Sequence, residues 1–427
     1  MGEEKLRLVR GMRDLIFDDA EKLIFIINKA REISYKYGYK EAILPTIEYY
    51  SLFAEKSGYE ITKRMYVFED LSGRKLALRP ELTPSVARLF INSLKSLPKP
   101  IRISYFANVF RYDEPQRARY REFWQGGFEH LGSSNLIADI EVIQLAFDIF
   151  NSLKLGEVKI KLGSMDLIKK ILNNAGIEYN SIPYFLYLID KKKFEELKKE
   201  LSKYEKGEIY YELLVQLSNL KGDPSRIISE SREIIKDEIL LSSINDLEFI
   251  VTSLKYLGII NIELELSFAR GIEYYTGIIY EFLHKDLDVS IGGGGRYDLL
   301  IEYYGGPKTP ATGCALGLDR IALVFKGDFK KNLNSASIFL LEQNNETLSK
   351  AFEISSFLRN QNYIVTIETS EKNLRDALSK ASKQNYDLFI IIGGKEFKEH
   401  KIIVRYLKKR IQREVSISRI QDILEKE

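Results

Sequence analysis

The chain has little of what several classes of site require. It contains one cysteine, Cys314, in 427 residues, which excludes a disulfide framework and a cysteine-ligated zinc site. Its three histidines, His130, His284 and His400, are too widely spaced to suggest a metal-binding motif. No apolar run approaches the roughly 20 residues of a membrane-spanning helix. The N-terminus also lacks the apolar segment of a signal peptide. These absences predict a soluble cytoplasmic protein with no membrane partner.

Length and charge set looser bounds. A chain of 427 residues is long enough for about two to four domains, each with a core of its own. The formal net charge of +3 permits a nucleic-acid partner without requiring one.

The segment from Phe110 to Gly132 has the most unusual pattern of polar residues. It reads as two strands joined by a charged loop, with the second strand from about Arg121 to Leu131. Because successive side chains on a strand point to opposite faces, alternate residues of this strand share a face. One face carries Phe123, Gln125, Gly127 and Glu129, and the other carries Trp124, Gly126, Phe128 and His130.

The first of these faces is a poor candidate for a core. A ring, an amide, a bare backbone and a carboxylate follow one another at roughly 7 Å intervals. Such a face suits a ligand with an aromatic end, a polar middle and a cationic or hydrogen-bonding end, and the neighbouring arginines suit phosphate. A solvated hairpin on a basic protein is the alternative, which the apolar residues around Gln125 and Glu129 disfavour.

Residues 165–250 differ in composition from the segments on either side. They are rich in Lys, Glu and Leu at helical spacing and contain no cluster typical of a site. Strand patterns resume at Ile260. We favour an inserted helical domain, with a continuation of the main core as the alternative. The predicted division is therefore a core in two parts (1–164 and 251–330), an insertion (165–250) and a terminal domain (331–427).

Glycine-marked strand patterns follow the helical stretch. They read FARGIEYYTGIIYEF, VSIGGGGRYDLL and GCALGLDRIALVF, and the last predicts a strand through Gly313 and Gly317 into a helix with Arg320 near its start. Glycines here would let a ligand approach the backbone closely. The run GGGGR lacks the Gly-Lys-Ser/Thr ending of a P-loop and the spacing of a dinucleotide fingerprint.

The final hundred residues alternate strand and helix patterns, which predicts a compact α/β domain. Between Lys395 and Arg419 there are nine Lys and Arg against three Asp and Glu, an excess of six positive charges. This stretch could face phosphate groups, and a solvated lysine-rich surface explains it almost equally well.

Taken together, these segments resemble the histidyl-tRNA synthetases, which are class II aminoacyl-tRNA synthetases, in their archaeal form. The resemblance extends over nearly the whole chain. The matching segments, in order, are LVRGMRD, KYGYKEAILP (motif 1), LALRPELTPSVAR, FRYDEPQRARYREFWQ (motif 2), RGIEYYTGIIYE (the histidine signature), GGGGRYD and GCALGLDR (motif 3). The terminal domain resembles the family's anticodon-binding module.

The resemblance implies an α+β catalytic core, in which an antiparallel sheet is flanked by helices, with a C-terminal α/β domain. It also implies a homodimer that uses ATP and Mg²⁺ to join L-histidine to tRNA(His) through a histidyl-adenylate. The substrate carboxylate is the nucleophile in the first step, so positioned cations rather than a protein nucleophile stabilise the transition state. An arginine-rich site without a catalytic serine or cysteine is consistent with that chemistry.

Site residues carry over by matching position. Arg111 would hold the α-phosphate and the histidine carboxylate, with Arg270 stabilising the transition state from the other side. Arg119 and Arg320 would hold the β- and γ-phosphates. Phe123 would stack on adenine, and Asp113 would contact the same nucleotide. The residues implied to bind histidine are Glu81, Thr83, Gln125, Glu129, Arg270, Tyr274, Tyr275 and Tyr297, with glycines 293–295 as pocket walls. Gln116 and Arg117 would meet the tRNA acceptor end.

Several alternatives stay open at this stage. Core packing is the favoured interpretation of Tyr274, and Arg117 is equally well explained as a surface charge. Arg270 and Tyr275 can serve one site only if Gly271 lies in a loop or a bulge. A catalytically inactive relative, such as a regulatory subunit of ATP phosphoribosyltransferase, or a nucleic-acid-binding accessory protein would share the fold. Retention of the arginines and of Glu81, Glu129 and Tyr275 disfavours both.

Overall fold

The computed structural model describes residues 6–54, 59–268, 274–330, 333–370 and 373–424. Spatial contacts divide the chain into two compact units, Met1–Phe329 and Lys330–Glu427. The first unit contains the residues predicted to bind substrates, and the second contains the basic stretch near the C-terminus.

Strands of the first unit build two sheets. In chain order they are β1 (Lys40–Glu41), β2 (Ile47–Tyr49), β3 (Val67–Glu69), β4 (Lys75–Leu78), β5 (Ile101–Phe110), β6 (Glu122–Leu131), β7 (Val158–Ser164), β8 (Lys221–Gly222), β9 (Ile262–Glu265), β10 (Ile278–His284), β11 (Gly292–Arg296) and β12 (Ala311–Gly317). Among the described residues the large sheet has the order β1-β5-β6-β12-β11-β10-β7-β9-β8, and the small sheet β2-β4-β3.

Helices flank the large sheet. They are α1 (Phe17–Lys36), α2 (Tyr50–Ala54), α3 (Tyr59–Thr62), α4 (Thr83–Leu89), α5 (Ile137–Ser152), α6 (Met165–Asn174), α7 (Ile182–Asp190), α8 (Phe194–Leu201), α9 (Gly207–Ser218), α10 (Pro224–Ile234), α11 (Glu238–Tyr256), α12 (Leu300–Tyr303) and α13 (Leu318–Val324). The chain continues from α4 into a π-helical turn at Phe90–Leu94.

The β5–β6 hairpin lies within the large sheet. Its antiparallel register pairs Tyr105 with Gly127 and Ile103 with Glu129, and β6 pairs on its other edge with β12. The predicted alternation of β6 is confirmed at three positions, because Phe123, Gln125 and Glu129 all line one cleft.

The helical stretch packs directly on the sheet. Apolar residues of α6, such as Leu167 and Ile171, are fully buried and share one core cluster with residues of the sheet. The sequence pattern missed β7, the strand that leads into α6, and the two-residue strand β8 within the stretch. Residues 165–250 and the two predicted parts of the core all fall in the first compact unit, so the boundaries of a separate insertion are not tested and stay a prediction.

The second unit is an α/β domain with its own core. Its elements are β13 (Ser335–Leu340), α14 (Asn345–Asn360), β14 (Ile364–Ile367), α15 (Leu374–Lys383), β15 (Leu388–Ile392), α16 (Gly394–Lys398), β16 (Lys401–Tyr406) and β17 (Ile411–Ser416). The sheet order is β14-β13-β15-β16-β17, with the first three strands parallel. The last described element is a 3₁₀ segment, Ile417–Leu424, interrupted at Arg419. The predicted fold class, an antiparallel-rich sheet with helices and a separate terminal α/β domain, is confirmed.

Within the part of the chain that the structure describes, no helix combines the length and the apolar character that crossing a bilayer requires.

Candidate active site

A cleft opens over the middle of the large sheet. Strands β6, β11 and β12 form its floor, and the segment before α4 and the start of α13 contribute further walls. The predicted site residues that line it are Glu81, Thr83, Arg111, Asp113, Arg119, Phe123, Gln125, Glu129, Tyr274, Tyr275, Tyr297 and Arg320. The sheet therefore brings together residues from five separate segments of the sequence.

Glu129 is the centre of a buried hydrogen-bond network at one end of the cleft. Its side chain is almost fully buried. Oε1 accepts hydrogen bonds from Thr83 Oγ1 at 2.8 Å and from the Tyr105 hydroxyl at 3.1 Å. Oε2 accepts a hydrogen bond from the Tyr297 hydroxyl. Three hydroxyl donors thus fix the orientation of the carboxyl group.

Burial controls the protonation of this network. Desolvation raises the pKa of Glu129 to about 7, and the hydroxyls of Tyr297, Thr83 and Tyr105 act in the opposite direction by stabilising the carboxylate. Burial also holds the pKa of Tyr105 and of Tyr297 well above the ordinary value, so both hydroxyls keep the proton that they donate. Near neutral pH the carboxyl group can therefore accept a hydrogen bond or exchange its proton with a bound ligand.

Two glycines make room for these side chains. A Cβ atom on Gly127 would lie 2.0 Å from Cζ of Tyr105, and a Cβ atom on Gly313 would lie 1.8 Å from Oε2 of Glu129. Real side chains do not approach so closely, so the positions accept only glycine. The clearance at Gly127 is occupied by the ring of Tyr105, which crosses it to reach Glu129.

The part of the cleft between Glu129 and the arginines is lined by Glu81, Tyr274 and Gln125. Tyr274 is buried and donates its hydroxyl to Oε2 of Glu81 at 3.2 Å. Oε1 of Gln125 is buried and has no hydrogen-bond partner among the described residues. A buried amide oxygen that lines a cleft without a partner is suited to receive a donor from a ligand.

Arginines dominate the opposite end of the cleft. Arg111 Nε donates to the carbonyl of Pro80 at 2.8 Å, and its guanidinium lies 5.5 Å from the ring centre of Phe123. Arg320 donates to the carbonyls of Ala118 at 3.0 Å and Ser290 at 2.7 Å. Backbone carbonyls therefore help to orient both guanidinium groups, which suit an anionic ligand.

The loop of the hairpin closes this end. Gln116 and Arg119 form an isolated β-bridge around Ala118, whose φ is +64°. Arg119 is exposed and lines the cleft, whereas Gln116 and Arg117 at the tip are exposed and lie outside the cleft lining.

The chain matches two protein families over most of its length. A model described as "Histidyl-tRNA synthetase" matches residues 11–321, and one described as "Anticodon binding domain" matches residues 335–427. The chain belongs to the histidyl-tRNA synthetase family. A relative from Sulfolobus acidocaldarius named "Histidine--tRNA ligase" is 39% identical over 97% of each chain. A relative of the same name from Saccharolobus islandicus is 39% identical over 98% of this chain and 99% of its own.

Solved structures share the fold of this synthetase-family chain. An apo histidyl-tRNA synthetase from S. aureus has a TM-score of 0.72, with 24% identity, over 98% of this chain and 100% of that one. A Bacillus halodurans protein, titled "ATP phosphoribosyltransferase regulatory subunit/histidyl-tRNA synthetase", has a TM-score of 0.77, with 24% identity, over 91% and 99%.

Arg270, the predicted wall glycines and Asp113 have different outcomes in the structure. Arg270 falls outside the described residues, so its role stays a prediction. Of the glycines predicted to wall the pocket, Gly293 lines the cleft, whereas Gly294 and Gly295 are absent from its lining. Those two pack against backbone carbonyls of the neighbouring strands, 2.0 Å and 2.5 Å from where their Cβ atoms would stand. Asp113 lines the cleft and also pairs with Arg64 at 3.1 Å.

Sequence reasoning missed two parts of the site. Tyr105 lies on β5, and only the β5–β6 register shows that it reaches Glu129. The N-terminal LVRGMRD segment packs on the hairpin, where Arg13 lies 3.6 Å above the ring of Tyr120 and pairs with Asp319, the neighbour of Arg320. The segment's resemblance to the family was a signal that it matters, but it did not indicate this contact.

Proposed function

We propose that the chain is a histidine–tRNA ligase that converts ATP, L-histidine and tRNA(His) into histidyl-tRNA(His), AMP and diphosphate. The observation that carries this proposal is one cleft with two unlike ends. A buried carboxyl group surrounded by hydroxyls suits a neutral, hydrogen-bonding imidazole, and oriented arginines suit a triphosphate.

In the first step a histidine carboxylate oxygen attacks the α-phosphorus of ATP, and the bond from that phosphorus to the diphosphate oxygen breaks. Arg111 binds the α-phosphate and the carboxylate, and Arg119 and Arg320 neutralise the departing diphosphate. In the second step a hydroxyl of the terminal tRNA ribose attacks the histidyl carbonyl carbon, the bond from that carbon to the AMP oxygen breaks, and the hydroxyl proton passes to the departing AMP or to water. Arg270 is proposed to face Arg111 across the reacting phosphate.

Histidine recognition follows from the network already described. Glu129 is proposed to accept the N–H of the imidazole, with Tyr275 on the other ring nitrogen. Glu81 and Gln125 receive the α-ammonium group, and Tyr274 orients Glu81. Thr83 already donates to Glu129, so it contributes to the imidazole end as well as lining the path of the amino-acid backbone.

Mg²⁺ is proposed to accompany ATP. No group of three His, Cys, Asp or Glu side chains among the described residues is arranged to hold a metal ion. Mg²⁺ is usually held by substrate phosphates and one or two carboxylates rather than by a protein cage. Asp113 lines the cleft near the arginines and would bind an ion that neutralises and orients the phosphates.

A homodimer is proposed on the evidence of the small sheet. By the register of its strands, Ile47, Tyr49 and Phe68 share one face of this sheet, and all three are exposed, as is Ile43 in the chain leading to it. Several exposed apolar side chains on one face of a sheet are typical of an interface between protein chains. An Ile43→Asp variant should sediment as a monomer at concentrations where the parent sediments as a dimer.

tRNA is proposed to contact both units. Gln116 and Arg117, at the exposed hairpin tip, would meet the acceptor end. In the second unit the turn between β16 and β17 exposes Lys408, Lys409 and Arg410, which suit the phosphates of the anticodon arm. The site of action is proposed to be the cytoplasm.

The deciding experiment is histidine-dependent exchange of labelled diphosphate into ATP by the pure protein with Mg²⁺. We expect exchange with histidine and none without it. Absence of exchange would overturn the proposal and favour a regulatory relative of the same fold. Transfer to tRNA(His) transcripts then tests the second step.

A further inference from the structure

Arg296, the last residue of β11, lies behind the proposed histidine pocket and outside the cleft lining. Its side chain is buried, and side chains alternate along the strand, so it points away from its neighbour Tyr297. No role in substrate binding follows from that position.

Its guanidinium group donates five hydrogen bonds to four acceptor atoms. Nε and Nη2 donate to Oδ2 of Asp139, which is fully buried in the first turn of α5. Nη1 donates to Oδ1 of Asp298 and to the carbonyl of Ser133, at 3.1 and 2.9 Å, and Nη2 also donates to the carbonyl of Asn135 at 3.2 Å. The group therefore ties β11 to the start of α5 and to the loop before it.

The hydrogen-bond network around Arg296 and Asp298 also fixes the backbone on both sides of Tyr297. The carbonyl of Arg296 accepts from the amide of Thr276 at 2.7 Å, and the amide of Asp298 donates to Thr276 Oγ1 at 2.9 Å. Asp298 Oδ1 also accepts from the amide of Ala311 at 3.0 Å. Tyr297 itself donates its amide to the carbonyl of Ala311 at 2.7 Å.

We propose that Arg296, held by Asp139 and Asp298, is a positioning residue for histidine recognition, which acts by placing the Tyr297 hydroxyl against Glu129. The inference rests on the proposed function. A buried, charged pair is a costly way to join a helix to a sheet, because each partner must be desolvated. The buried pair would account for that cost by fixing the direction of the Tyr297 hydroxyl.

The chain offers a matched control. Arg102 and Glu141 also join the large sheet to α5 through two hydrogen bonds, of 2.8 and 2.7 Å. Neither residue lines the cleft. Glu141→Gln therefore removes a sheet-to-helix ion pair without disturbing the backbone beside Tyr297.

The test measures KM for histidine and for ATP separately, in the exchange assay. Asp139→Asn should raise KM for histidine about tenfold and leave KM for ATP within about twofold of the parent. Glu141→Gln should change neither. Arg296→Lys keeps the positive charge but loses the planar guanidinium group that binds several acceptors at once. It should therefore retain only part of the parent's affinity for histidine.

A double-mutant cycle isolates the path through Tyr297. In a Tyr297→Phe background, Asp139→Asn should add less than about a twofold increase in KM for histidine. A full tenfold increase in that background, or equal changes in the two KM values, would overturn the inference.

Two measurements cover the remaining outcomes. If Asp139→Asn does not fold, Thr276→Val replaces it, because this variant removes a single hydroxyl of the same hydrogen-bond network. Thr276→Val should raise KM for histidine about threefold. An unchanged KM would contradict the positioning role. Calorimetry with histidine alone separates the two proposals. No binding by the parent chain would overturn both, whereas parent binding that Asp139→Asn leaves unchanged would overturn only the positioning role.

Discussion

The two ends of the cleft differ in burial and in the ligand group that each is proposed to bind. At the proposed histidine end, Glu129 is buried and accepts hydrogen bonds from the buried Tyr105 and Tyr297. At the proposed phosphate end, Arg111 and Arg320 are only partly buried and donate to backbone carbonyls, and Arg119 is exposed. Selection of a small uncharged ring requires donors and acceptors fixed in advance. Neutralisation of a triphosphate requires positive charge within reach of the ligand.

The difference predicts which substitutions alter selectivity and which alter rate. Groups at the histidine end leave a buried partner unsatisfied when they are removed, so their loss should affect histidine specifically. Groups at the phosphate end act through charge. Removing one of them should therefore lower the reaction rate, and the decrease should be larger for a group that stabilises more of the charge developing in the transition state.

The largest effect is expected at Arg111. Arg111→Ala should lower the rate of histidine-dependent diphosphate exchange by about a thousandfold, because the charge at the α-phosphorus loses its nearest proposed cation. Arg117→Ala, at the exposed tip of the same hairpin, is the control and should exchange normally. An Arg111→Ala rate within about threefold of the parent would remove this residue from the reaction.

Glu129→Gln should come next. We expect KM for histidine to rise about a hundredfold with KM for ATP nearly unchanged, because the amide offers one acceptor where the carboxylate offers two. Exchange kinetics at varied histidine give the result. A similar rise in both KM values would mean that the two ends of the cleft are not separate in function.

Glu129 also predicts a pH dependence of stability. Its pKa is near 4.5 in an unfolded chain and about 7 in the folded protein, so the folded state binds the extra proton between these values. Stability should therefore be highest below pH 4.5 as far as this group is concerned, and should fall as pH rises to about 7. The loss is about 3 kcal/mol of unfolding free energy.

Denaturant unfolding of the parent and of Glu129→Gln between pH 5 and 8 isolates that contribution. The difference between the two proteins should shift in favour of the glutamine variant as pH rises. A difference that stays constant across the range would show that Glu129 titrates normally.

Of the three cleft residues, Arg119 is expected to show the smallest effect. Its exposure leaves it screened by salt, so Arg119→Ala should raise KM for ATP only about fivefold. In the parent, added salt should likewise raise KM for ATP while leaving KM for histidine nearly constant. Equal salt dependence of both values would contradict the division of the cleft into a buried and an exposed end.

The sequence alone predicts which residues share a face when those residues lie on one regular strand. Phe123, Gln125 and Glu129 could be assigned to one face because the period of a strand is two, and β6 is regular over that span. The strand through Gly313 into a helix carrying Arg320 was predicted for the same reason, since one pattern change marks the boundary.

Contacts between distant segments could not be predicted. Tyr105 reaches Glu129 only because of the β5–β6 register, and its ring occupies the space that a side chain at position 127 would need. Arg296 and Asp139 are separated by 157 positions in sequence. Neither pairing has a local signature.

The glycines beneath Glu129 have a consequence for how amino-acid specificity can change during evolution. Any side chain at Gly313 would displace the carboxyl group, and any at Gly127 would displace the Tyr105 ring. Replacing Glu129 alone would leave three hydroxyls without their acceptor. If Glu129 selects histidine as proposed, each of these three substitutions should weaken the enzyme before another amino acid is accepted. These three positions would then offer no gradual route away from histidine.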